Sequence, residues 1–85
     1  MAKKLTVHLE DEACELLEEL AETVNCHPKE IVGDALSFYK GVIELYQGSM
    51  RLYAKQGNVF FETDFEGKLG EYISKLEEKR RKELN

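Results

Sequence analysis

Tryptophan is missing from this chain, proline occurs once, and cysteine occurs twice. No apolar run approaches the roughly 20 residues that a membrane-spanning helix needs. Bases are fewer than acids, 12 against 17. Each shortage narrows the field. Cys14 and Cys26 lie far apart with no CxxC, so they read as reduced thiols; a metal site of Cys26 and His27 with His8 lacks the His-rich or CxxC spacing it would need and is not expected. The opening "MAKKLTVHLE" has no signal-peptide apolar core, so a cytoplasmic location with no membrane partner is expected. A glycine-rich phosphate loop, an H-E-x-x-H and a Ser/His/Asp or Cys/His constellation are all wanting. The many carboxylates sit along one helix face rather than in an acid–base pair. The chain therefore reads as a binding module and not an enzyme, with no cofactor.

What is present is strongly patterned. A net charge of -5 argues, as a bare sum, against a polyanionic partner. Its distribution argues otherwise. Residues 1–9 hold Lys3 and Lys4 and no acid, whereas residues 10–24 hold seven acids and no base. In "KKLTVHL", Leu5, Val7 and Leu9 alternate with Lys4, Thr6 and His8. That period of two predicts a half-buried strand over residues 3–9. A helix is expected from an N-cap at Asp11, with Ala13, Leu16, Leu17, Leu20, Ala21 and Val24 forming one apolar stripe that packs inward. Acids in its first turn favour the positive end of the helix dipole. Asn25 is a left-handed stop.

A second helix should follow at once. Pro28 suits the first helical position, where a missing N–H costs nothing, with His27 as N-cap and Glu30 three residues on. The apolar stripe from Ile31 to Tyr46 is broad enough for a helix buried on more than one side. Gly48 ends it. Beyond lie two β-prone runs, "RLYAK" and "VFF", around the turn signal "QGN". Thr63 and Glu66 have capping-box spacing for a last helix with Leu69, Tyr72, Ile73 and Leu76 on one face. "EEKRRKELN" reads as a solvated charge mixture, with the basic run at 79–82 a weaker candidate for contact with DNA backbone.

A single strand needs a partner for its N–H and C=O groups and a cover for its apolar face. Either it joins the later hairpin, or it pairs with its twin in a second copy about a two-fold axis. In the second case Lys4, Thr6 and His8 of both copies form one outward ribbon, which fits the major groove of B-DNA. The order of strand, acid-opened helix, break near Asn25 and second helix "KEIVGDAL" resembles the ribbon-helix-helix repressors, the class of MetJ and Arc, over about residues 3–47. The resemblance implies a mostly α fold with a short N-terminal β-strand, an intertwined homodimer, and possible higher oligomers on double-stranded DNA. It also implies base contacts from Lys4, Thr6 and His8 and phosphate contacts from Lys3, His27 and Lys29. The expected organisation is a dimerisation and DNA-binding domain over 1–48 and a hairpin-plus-helix extension over 49–85.

The leading expectation is thus a sequence-specific transcription regulator, a repressor. Two alternatives stand beside it. One is an antitoxin whose residues 49–85 bind a toxin protein. The other is an assembly module that keeps the fold without touching DNA.

Overall fold

The structure, a computed structural model of the single chain, describes residues 3–84. The elements in chain order are α1 (Asp11–Val24), α2 (Pro28–Gln47), the strands β1 (Tyr53–Gln56) and β2 (Val59–Glu62), and α3 (Gly67–Leu84). The chain is mostly helical with one two-stranded antiparallel sheet. It divides into two compact units, Met1–Leu36 and Ser37–Asn85, with the division inside α2.

The first unit departs from expectation at its start. Residues 3–10 adopt no regular structure, so the first element is a helix and the strand anticipated over residues 3–9 is not formed in the single chain. The reason is the one that makes a lone strand suspect: nothing among the described residues pairs with it, and β1 pairs with β2. The segment's apolar side chains stay uncovered, Leu5 to 85% and Val7 to 63%. The N-cap of α1 is Glu10 rather than Asp11; Glu10 is extended and makes no side-chain cap bond, and its carbonyl accepts from the Cys14 N–H at 3.0 Å. Asp11 and Glu12 then occupy the first turn, where the helix dipole favours them.

The α1 stripe does not pack inward as expected. Ala21 is buried, Ala13 and Leu17 are half-buried, but Leu16, Leu20 and Val24 remain exposed. At the end of α1, Asn25 adopts the left-handed conformation (φ 61°, ψ 56°), and the Cys26 N–H donates to the Ala21 carbonyl at 2.9 Å. A short polar side chain tolerates this region better than most residues, which is why the chain can reverse here and start α2 three residues later.

The second unit has the denser core. Val42, Tyr46 and Ile73 are buried, with Leu45, Leu52, Phe65, Leu69 and Leu76 packed around them. Burial of such side chains is worth about 1.5–3 kcal/mol each. Tyr46 is central: its ring meets Phe65 edge-on at 5.9 Å and its hydroxyl accepts from the Leu52 N–H at 3.3 Å. Gly70 lets α3 begin tight against Phe65, since a Cβ there would lie 2.0 Å from the Phe65 carbonyl oxygen.

The hairpin has the register Tyr53↔Glu62, Ala54↔Phe61, Lys55↔Phe60, Gln56↔Val59. Gly57 (φ 61°) and Asn58 make its two-residue turn, with the positive φ at the first central position that glycine permits. The ladder continues past the strands, because the Thr63 N–H donates to the Leu52 carbonyl at 3.1 Å. That pairing overturns the capping box expected at Thr63–Glu66. Thr63 belongs to the hairpin, and α3 starts at Gly67. Arg51 ties hairpin to helix, at 2.7 Å from Glu62 and 3.6 Å from Glu77. Glu77 first and Glu62 second raise the Arg51 guanidinium above its ordinary value.

Candidate nucleic-acid interface

The residues singled out for DNA contact lie in two stretches of the first unit. Lys3, Lys4, Thr6 and His8 stand on the irregular leading segment, all exposed. None of the four has a side-chain hydrogen bond or ion pair among the described residues. His27 and Lys29 stand at the α1–α2 turn, also exposed. The structure joins the second pair to each other and does not join either to the first four.

The start of α2 is built as a closed cap. The His27 N–H donates to Glu30 Oε2 at 2.8 Å, the reciprocal half of a capping box. The Lys29 N–H donates to His27 Nδ1 at 3.1 Å, and the Glu30 N–H donates to the His27 carbonyl at 2.9 Å. Pro28 has no N–H to offer. The first-turn donors that would greet a phosphate are therefore taken, two of them by His27. A phosphate gains the Lys29 N–H only when the His27 ring swings off. The Lys29 ammonium stays exposed and without an ion-pair partner among the described residues.

Cys26, beside this cap, is half-buried. Burial first, then the carboxylates of Glu30 and Asp34, push its thiol above the ordinary value. The shift disfavours the thiolate, the form that acts as nucleophile or metal ligand. Among the described residues no cluster of three metal-ligating side chains occurs, and no helix is long and apolar enough to cross a membrane.

Around these polar residues lies uncovered apolar surface. Leu5, Val7, Leu9, Leu16, Leu20, Val24, Val32 and Leu36 of the first unit are all exposed. Isolated exposed leucines are ordinary. Eight in a stretch of 32 residues, five of them at α1 and α2 stripe positions that the sequence assigns to a core, are not.

Compared with protein-family models, with curated proteins and with solved structures, the chain matches none. The functional reading therefore rests on the residues themselves.

Proposed function

We propose that the chain is a homodimeric, sequence-specific DNA-binding transcription regulator of the ribbon-helix-helix kind, acting as a repressor. The observation that carries this reading is the open apolar surface of the first unit, continuous in sequence with a strand-patterned segment that has no mate. A second copy offers a mate for residues 3–9 and a cover for the α1 stripe in one operation. With about half of each of the eight side chains buried on pairing, at roughly 1.5–3 kcal/mol for a whole side chain, the gain is about 6–12 kcal/mol per copy before ordering costs. That range is enough to make folding of the first unit and pairing a single event.

Pairing in antiparallel register puts Lys4, Thr6 and His8 of both copies on the polar face. Lysine donates to guanine O6 and N7 or to a phosphate, threonine exchanges hydrogen bonds or presses its methyl on thymine, and histidine bonds a base edge. Lys3 and Lys29 supply phosphate contacts, with His27 giving way at the α2 cap. Six of the seven acids over residues 10–24 lie along the face of α1 opposite its apolar stripe, which keeps them off the ribbon. Each copy still brings a net charge of -5. Affinity for one site is therefore modest, the salt slope shallow, and occupancy of adjacent repeats by several dimers favoured.

Fluorescence anisotropy on the chain's own promoter region tests this. Lys4→Ala and Thr6→Ala each weaken specific binding about tenfold, the value of one good base contact. Unchanged binding in both variants refutes the ribbon assignment.

A second reading, an antitoxin, draws on the hairpin. All eight residues of β1 and β2 are exposed, including Tyr53, Phe60 and Phe61. Exposed aromatics are the usual anchors of protein interfaces. Truncation after Ser49 then releases a small basic protein that co-purifies with the full chain.

A further inference from the structure

The chain has three arginines, Arg51, Arg80 and Arg81, against nine lysines. All three arginines line one cavity in the second unit, of about 290 Å3, and none of the lysines does. Its remaining wall is mostly apolar or hydroxylic: Tyr46, Ser49, Met50 and Leu84, with Glu77 as the one carboxylate. The volume is near the lower bound for small-molecule sites, and an apolar wall with a few convergent polar groups is their usual chemistry.

The three guanidiniums are not equivalent. Arg51 is engaged by Glu62 and Glu77. Arg80 donates through Nη2 to the Gln47 carbonyl at 2.6 Å, at the end of α2, and so is fixed in place with most of its donors unused. Arg81, exposed, has no carboxylate partner among the described residues. A guanidinium held rigid by a backbone carbonyl beside a second, unpaired one forms a fork suited to a planar or tetrahedral oxyanion. Ser49, in the left-handed conformation (φ 64°), adds a hydroxyl to the rim.

We propose that this cavity is a binding site for a small organic anion, a carboxylate or phosphate monoester carried on a short apolar body. Arg80 and Arg81 take the oxyanion. Met50, Leu84 and the Tyr46 ring contact the apolar part. The ligand bridges the end of α2 to the last turns of α3. The site uses residues 46–84 alone, so it holds independently of how residues 3–9 pair.

The test is a titration of the full-length protein followed by backbone and arginine side-chain N–H resonances. The probes are hexanoate, hexyl phosphate, inorganic phosphate and hexylamine. The expected result is saturable shifts at Ser49, Met50 and Arg51 and at the Arg80 and Arg81 guanidiniums, with Kd of about 1 mM or tighter for one or both hexyl anions. Whichever hexyl anion binds more tightly identifies carboxylate or phosphate as the preferred head. Hexylamine leaves these resonances in place, and inorganic phosphate binds at least about tenfold more weakly than the better hexyl anion, because the apolar wall contributes. Arg81→Ala, an exposed change that spares the fold, weakens the better anion about tenfold or more. Arg80→Gln does the same if its spectrum remains folded. Three results overturn the proposal: no saturation by either hexyl anion, an Arg81→Ala protein that binds as the parent does, or inorganic phosphate binding as tightly as the hexyl anions. A short DNA duplex that shifts the same resonances more tightly than both also overturns it, in favour of a backbone-phosphate contact.

Discussion

Gly70→Ala sets two physical effects against each other. Gly70 lies in the first turn of α3, where its φ is not positive. Alanine is the better helix former by about 1 kcal/mol. By propensity alone the substitution stabilises. The structure reverses the sign. The new methyl would sit 2.0 Å from the Phe65 carbonyl oxygen and 2.9 Å from its carbon, both backbone atoms that no rotamer change can move. To restore contact distance, residue 65 or the start of α3 must shift by more than 1 Å, roughly the difference between 2.0 Å and an ordinary contact of about 3.5 Å. Phe65 cannot shift freely, because its ring is seated edge-on against buried Tyr46. Overpacking of this kind costs about 1–3 kcal/mol, and a backbone clash belongs at the upper end. The net is about 2 kcal/mol of destabilisation, a fall in Tm of about 8–16 °C for a chain of this size. Gly33→Ala is the control. It lies in α2 with nothing within 4 Å of the added methyl, so its Tm rises by a few degrees. Thermal unfolding followed by circular dichroism reads both. A Gly70→Ala protein that melts above the parent refutes the placement of α3 against Phe65.

Other outcomes follow from the same geometry. Tyr46→Phe removes the acceptor of the Leu52 N–H; it costs about 1 kcal/mol, and the Leu52 amide exchanges faster with solvent while those of α1 do not. Asp34→Asn removes one of the charges that raise the Cys26 thiol. More thiolate then exists at a fixed mildly alkaline pH, so Cys26 reacts faster with a thiol reagent, while the rate of exposed Cys14 is unchanged. Asn25→Val forces a β-branched residue into the left-handed turn (φ 61°) and lowers stability by about 1–2 kcal/mol, read as a lower urea midpoint.

Local signals with a mechanism are legible in the sequence. Asn25, Pro28 with Glu30, and the Gly57 turn each solve a backbone problem within a few residues, and each appears where its chemistry requires. The structure differs from the sequence pattern where a nearer partner wins. Thr63 has capping-box spacing to Glu66, but its N–H is taken by the hairpin ladder. Asp11 yields the N-cap to Glu10 because any extended residue can supply the first carbonyl, and acids serve as well one position on. The segment over residues 3–9 carries a strand pattern, yet a pattern records which side chains want cover and not where the cover comes from. The arginine cavity was the least legible. "KRRK" at 79–82 reads as a solvated end, and Arg51 lies 29 residues before Arg80, so the cluster arises only when α3 folds back along the end of α2. Its one sequence signal is that every arginine falls after position 50.

Dimerisation as proposed requires residues 3–9 to pair with the same segment of a second molecule. Nuclear Overhauser measurements on a mixed sample, one copy carrying labelled Leu and Val methyls and the other unlabelled, address it directly. Intermolecular contacts are expected among Leu5, Val7 and Leu9, with slowed amide exchange at alternate positions of the segment. A monomer in solution whose residues 3–9 exchange at the rate of an unstructured peptide contradicts it.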